Sequence, residues 1–283
     1  MRARLVALLG LAVLAGPLSA QRLSTVAASR DLRGETELAV HVRFGLGTFT
    51  LTRDQTGALY RASLLYDQER FRPVHEYDAD SRQLEFGVKS LRDDVNIKNK
   101  DDIVQELELA LAPSVLTSLN LEFGAGLAEV DLGGMAIRNA TIKTGASEAV
   151  IAFSRPTITP CEKLEIKVGA ARFRAERLGN SNCEAIEVDA AVGEITLDFA
   201  GEWQHSGITN ADVTIGLGDL ELRFPSHLGV SISLDRFLAS FDDAGFVKRG
   251  DAYYSTGYDD APAKLHLELK AVVGDVDVVW VQR

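Results

Sequence analysis

Apolar and polar residues alternate along most of this chain, and seven times the alternation runs into a glycine, slips by one residue and resumes. Counted from Gly47, Gly126, Gly145, Gly169, Gly193, Gly218 and Gly274, apolar or small residues stand at minus five, minus three and minus one. They stand again at plus two, plus four and plus six. The clearest copies read Val188-Asp-Ala-Ala-Val-Gly193-Glu-Ile-Thr-Leu-Asp-Phe199 and Val213-Thr-Ile-Gly-Leu-Gly218-Asp-Leu-Glu-Leu-Arg-Phe224. Period-two alternation predicts strands with one buried face. A one-residue slip would turn the second half's apolar side to water unless the strand bends there. Glycine supplies that corner because it takes up positive φ without a Cβ clash.

Successive glycines are 79, 19, 24, 24, 25 and 56 residues apart, so the middle copies form an unbroken array from Leu119 to Phe224. A strand–corner–strand unit at this period predicts an all-β, β-solenoid-like stack in which neighbouring coils close one another's cores. The long gaps hold insertions. Residues 53–118 carry a turn at Asp54–Gly57, strands around Ala58–Tyr66, Arg72–Tyr77 and Gln83–Val88, and a charged loop over Leu91–Asp102. They predict an N-terminal β module, partly a cap, within residues 21–118, ahead of a solenoid domain over 119–283. The second insertion, 225–264, is rich in aromatic residues. Trp280 ends the last strand pair and is expected to help close the stack.

The segment Leu119-Asn-Leu-Glu-Phe-Gly-Ala-Gly-Leu-Ala-Glu-Val-Asp-Leu132 and its later copies resemble the bacterial toast-rack domains. These are related to the C-terminal domain of LiaF-like envelope-stress proteins and to adhesin-like β-solenoids. The upstream pieces Gly45–Leu51, Ala58–Tyr66, Pro73–Tyr77 and Leu84–Val88 are similar to the N-terminal module that often precedes such domains. The resemblance implies an extracytoplasmic, all-β, non-catalytic protein. LiaF-like members are membrane-anchored regulators, and no segment here has the length of their transmembrane helices.

Residues 1–20 read as an export signal: Arg2 and Arg4, an apolar run Leu5–Ala15, and Leu18-Ser19-Ala20 before Gln21. Its removal predicts a periplasmic or secreted, cell-surface protein with no transmembrane segment in the mature chain. The net charge of −11 for the whole chain becomes −13 without the two arginines. Such acidity opposes binding to nucleic acid or anionic membrane, which needs clustered Lys and Arg. Cys161 and Cys183 are 22 residues apart, close to the repeat length, so stacked coils predict a disulfide in an oxidising compartment. The two-residue departure from the glycine spacing of 24 is the tension in that expectation, since a disulfide tolerates little displacement.

Candidate chemistry is sparse. The pairs Gly45/Gly47, Gly124/Gly126 and Gly216/Gly218 lack the third glycine and the helix of a phosphate loop. The five histidines are scattered, with His75 beside Glu76 and Tyr77 read as a loop residue. The acidic pairs Asp78/Asp80, Asp93/Asp94, Asp101/Asp102, Asp242/Asp243 and Asp259/Asp260 read as solvated turns, so neither a metal nor a cofactor is expected. Reading outward columns from the glycines places Arg172 and Arg174 alone on a mixed surface, without the carboxylate set of a glycan-cleaving β-helix. The aromatic insertion is the strongest candidate: Phe246, Tyr253, Tyr254 and Tyr258 are the expected binding residues, against the reading that they only cap the stack. The sequence thus points to an exported, non-enzymatic surface protein, a binding, adhesion or scaffolding module with an envelope protein or glycan as partner. A carbohydrate-active enzyme and the ectodomain of an envelope-stress sensor are the competing classes.

Overall fold

The computed structural model describes residues 22–91, 104–203 and 207–282. The export segment, most of the charged loop and His205 lie outside the described residues. The strands are β1 (Leu23–Asp31), β2 (Glu37–Arg53), β3 (Ala58–Asp67), β4 (Phe71–Asp78), β5 (Gln83–Ser90), β6 (Glu106–Leu111), β7 (Leu116–Asp131) and β8 (Ile137–Ala152). They continue as β9 (Cys161–Glu176), β10 (Cys183–Asp198), β11 (Ile208–Pro225), β12 (Gly229–Ala239), β13 (Phe246–Arg249), β14 (Ala252–Ser255), β15 (Lys264–Gly274) and β16 (Val276–Val281). All join one sheet, an all-β, solenoid-like stack as the repeat predicts.

Six long strands, β2 and β7 to β11, stack in parallel, and each bends at its corner into two arms. The bend shows in β2, where Phe44 and Phe49 share one strand yet hold their ring centroids 6.4 Å apart. An extended strand would separate them by roughly 16 Å. On the first arms Leu121, Ile142, Ile166, Val188 and Val213 stand in register; on the second, Ala128, Ala149, Phe173, Ile195 and Leu220 do so. Both rows are buried and face each other across the bend. Each such aliphatic side chain contributes roughly 1.5–3 kcal/mol by leaving water. The returning loops close the remaining side with Leu132, Phe153, Leu178 and Phe199, all buried. Asn180 ties these loops together: its amide donates to the Phe153 carbonyl at 2.8 Å and accepts from the Glu202 N–H at 2.7 Å.

At each end the two arms continue separately. The first arm of β2 is followed by β5 and β4, and the second by β6, β3 and β1. At the other end the first arm of β11 leads to β15, β12, β14 and β13, while its second arm, beyond β10, leads to β16.

Three expectations change. The corner column runs Gly47, Gly126, Ser147, Ala171, Gly193, Gly218, so Gly145 and Gly169 are not its members. They sit two residues earlier, where Gly145 packs on the Gly124 backbone. Returning loops of unequal length cause this, since the register offset is 21 residues from β7 to β8 and 22 from β9 to β10, where the glycines are spaced 19 and 24. Second, Leu46 before Gly47 is buried as expected, but the residues immediately before the later corners do not face the core: Val192, Leu217 and Val273 are 43%, 49% and 36% exposed. The bend is spread over three residues, so the middle one points outward and builds an apolar ridge along the corner. Third, Arg172 is not alone. It stands between Glu148 and Glu194 in register and reaches the Glu194 carboxylate at 3.0 Å, while Arg174 pairs with Glu176 at 3.6 Å.

Cys161 and Cys183 open β9 and β10 as register partners and are joined, with their Cα atoms 4.1 Å apart. The 22-residue offset of that strand pair is the spacing of the two cysteines, which removes the tension with the glycine count.

Candidate functional site: the aromatic insertion

β13 and β14 form a hairpin whose two-residue loop begins at Gly250, with φ of 64°. A two-residue hairpin connection needs such a positive φ, which glycine adopts without strain. The hairpin hangs on the antiparallel pairing of Ile232 with Tyr253 and Ser231 with Tyr254. Ser255, buried, anchors it by accepting the Val230 N–H at 2.9 Å.

Alternation along β14 sends adjacent tyrosines to opposite sides. Tyr253 turns inward and meets Phe241 edge-on at 5.2 Å, with the Lys248 ammonium 5.4 Å from its ring centroid. Phe246 is on the same side, its ring 5.3 Å from Trp280, 6.3 Å from Phe241 and 6.4 Å from the buried Phe224. Trp280 fixes the arrangement by donating its indole N–H to the Ala244 carbonyl at 2.9 Å. Phe246 and Tyr253 therefore cover the C-terminal end of the core.

Tyr254 and Tyr258 belong to the outer face. Their rings meet edge-to-face at 4.9 Å, and Tyr258 follows Gly257, whose φ of 83° starts a short 3₁₀ turn over Tyr258–Asp260. The Tyr258 hydroxyl lies 2.7 Å from His266 Nε2, with the two rings stacked. His266 comes from β15, in register with Ser231 of β12, which is itself opposite Tyr254. The Arg249 guanidinium lies 5.2 Å over Tyr254 and pairs with Asp259 at 3.0 Å; the Lys264 ammonium lies 5.1 Å from the Tyr258 ring centroid. The result is a platform of half-buried aromatic rings bordered by cations. Aromatic faces of this kind pack on apolar ligand surface, while the phenol, imidazole and guanidinium supply directed hydrogen bonds.

The four residues singled out in the sequence thus divide into a capping pair and a platform pair. Arg249, Lys264 and His266 join the platform unforeseen; only the strand alternation, once β13 and β15 are placed, could have marked them. His75 is not in a loop: it lies on β4, packs on Phe86 at 5.1 Å and meets the Tyr60 hydroxyl at 2.9 Å. Although His75 remains exposed, desolvation where it packs on these rings lowers its pKa, favouring the neutral imidazole. Asp78 and Asp242 accept N–H groups of their own turns, at 2.9 Å from Asp80 and 3.0 Å from Ala244. Asp93/Asp94 and Asp101/Asp102 lie outside the described residues. A separate groove of about 1010 Å³ is lined by Trp203, Arg177, Asp198, Glu202, Arg223 and His227. There Arg223 is paired with Glu221, and Trp203 donates to the Phe199 carbonyl at 3.0 Å.

Residues 19–159 match the family described as the N-terminal domain of toast_rack, DUF2154. No curated protein matches the sequence. Among solved structures, a candidate cell adhesion protein from Clostridium sporogenes is 14% identical, with 93% of this chain and 100% of that chain covered and a TM-score of 0.47. A candidate lipid binding protein from Parabacteroides distasonis is 10% identical, covering 92% and 95%, with a TM-score of 0.37. A candidate adhesin from Bacteroides fragilis is 8% identical, covering 90% and 97%, with a TM-score of 0.35. Over residues 19–159 the chain is thus similar to the N-terminal domain of the toast_rack family.

Proposed function

We propose that the protein is an exported, non-enzymatic binding or scaffolding module of the cell envelope, periplasmic or at the cell surface. In this reading it recognises an envelope protein or glycan through the outer face of its aromatic insertion. The observation that carries this is the platform of Tyr254 and Tyr258, edged by Arg249, Lys264 and His266 and separate from the rings that close the core. Tyrosine and arginine, clustered here on the hairpin and the turn that follows it, are residue types that dominate recognition surfaces. Export is supported by the charged-then-apolar segment Arg2–Ala20 and by the Cys161–Cys183 disulfide, which suits an oxidising compartment. No described helix is long and apolar enough to cross a membrane. The glycan-cleaving alternative gains nothing from Arg172, whose guanidinium is held by Glu194.

The test is co-sedimentation of the purified protein with isolated cell envelope, beside Tyr254→Ala/Tyr258→Ala. Saturable binding is expected, weakened about tenfold or more in the double variant. Phe246→Ala, which thins the cap, is expected to bind like the parent. A folded double variant that binds as well as the parent removes the platform from the reading. Absence of binding by the parent removes the reading itself.

A further inference from the structure

A sheet edge presents a row of unpaired N–H and C=O groups, and soluble β proteins blunt such edges with proline, charge, shortness or a covering segment. Four edges of this molecule follow that rule. β4 carries Pro73 between Arg72 and His75. β13 has only four residues, two of them Lys248 and Arg249. The part of β12 beyond its pairing with β14 carries Asp235 and Arg236. β16 is covered by the segment before β13, through the Asp242 N–H to the Val276 carbonyl at 3.0 Å and through the packing of Trp280 on Phe246.

β1 departs from it. Its nine residues pair with β3 on one side, and among the described residues nothing pairs with the other. Between Leu23 and Arg30 it holds only Ser24, Thr25, Val26, Ala27, Ala28 and Ser29, with no charge and no proline. Of the charges that flank this stretch two are engaged, while Asp31 ends the strand exposed. Arg22 pairs with Glu69 at 3.8 Å, and Arg30 pairs with Glu35 at 3.4 Å and lies 4.3 Å over the Tyr77 ring. Val26 and Ala28 pack on the core from this strand yet stay half-exposed.

We propose that β1 is a self-association edge, through which two copies of the protein join their sheets by antiparallel β1–β1 pairing about Ala27. The strand is self-complementary in that register. A two-fold axis through Ala27, normal to the sheet, keeps each face continuous across the joint. On the core side it sets Val26 opposite Ala28 of the second copy, extending the apolar row. On the outer side it sets Thr25 opposite Ser29, a favourable cross-strand pair. Arg30 falls opposite Ser24, and Asp31 opposite Leu23, so no like charges meet. The isologous pairing consumes the free edge of both copies and stops there, because the opposite end of each stack is guarded by β13 and its cations. This reading goes beyond the platform proposal and does not depend on it.

The test is sedimentation equilibrium of the purified full protein beside Ala27→Lys and Ala27→Asp. Ala27 lies on the exposed outer face, so both substitutions suit the monomer, and thermal melts check that each variant folds. The parent mass is expected to rise toward twice the chain mass with concentration. Each variant alone should associate at least about tenfold more weakly, because two like charges would face each other across the axis. An equimolar mixture of the two should regain association, as lysine then faces aspartate. A parent that stays monomeric overturns the proposal. So do a dimer that neither variant weakens, which would move the contact to another surface such as the apolar corner ridge, and folded variants whose mixture fails to recover.

Discussion

Asp54 shows how much one side chain contributes to this fold. It begins the turn between β2 and β3 with its side chain fully buried, and it accepts the N–H groups of Thr56 at 2.7 Å and Ala58 at 3.0 Å. The Thr56 hydroxyl and Arg61 Nε, the latter at 2.7 Å, also donate to it. Burial by itself raises the pKa, but these donors outweigh it and hold the carboxyl at about 2. The folded pKa is below that of the unfolded chain, so the stabilisation is fully present above about pH 4 and is lost as the pH falls toward 2. Chemical denaturation across that window should show a loss of roughly 2 kcal/mol traceable to this group. Asp54→Asn should flatten that acid slope and lower stability at neutral pH; a variant that keeps the parent's slope would place the effect elsewhere. Gly218 is a second single-residue determinant. Its φ is +132°, and a Cβ there would collide with the Gly193 carbonyl oxygen, so the stacked corners admit only glycine at that point.

At the scale of the strand, the register decides what the sequence could reveal. The two-arm strand was legible because apolar alternation and its one-residue slip are properties of each strand alone. The corner column was not, because Ser147 and Ala171 replace glycine in β8 and β9 while Gly145 and Gly169 imitate it two residues earlier. Only the lengths of the returning loops decide between the two, and those depend on packing. The same limit hid the division of the insertion: Tyr253 and Tyr254 separate once residues 252–255 are known to be a strand, which their short, polar surroundings do not announce. The cysteines were legible because their spacing is close to the repeat length, and the register shows why it is two short of the glycine spacing: it equals the β9–β10 offset. Their link closes a loop of 22 residues between adjacent coils. By loop entropy it should contribute about 3 kcal/mol, or on the order of 10 °C in Tm for a chain of this size. Calorimetry of the protein with and without reductant, beside Cys161→Ala/Cys183→Ala, measures it. Equal melting of oxidised and reduced protein would show that strand pairing alone holds β9 and β10 together.

For the whole molecule, the consequence of stacking is that each coil is stabilised by its two neighbours, so the ends are the weak points unless they are capped. β7 to β10 have a long strand on either side, whereas β16 pairs only with β11 and depends on the cap for its other side. Trp280 is the hub of that cap, with its ring 5.7 Å from Phe224 and 5.3 Å from Phe246 and its N–H on Ala244. Replacing a fully buried tryptophan by alanine costs roughly 3–5 kcal/mol, and the half-buried Trp280 should cost less than that. In a one-dimensional stack that loss is felt first by the end coil, because the end can open without separating the interior coils. Native-state hydrogen exchange of Trp280→Ala should therefore show protection falling across β13, β14 and β16, while amides of β7 to β9 keep nearly the parent's protection. A uniform fall through every strand would mean that the stack opens as one unit, with coupling between coils strong enough that no end coil frays alone.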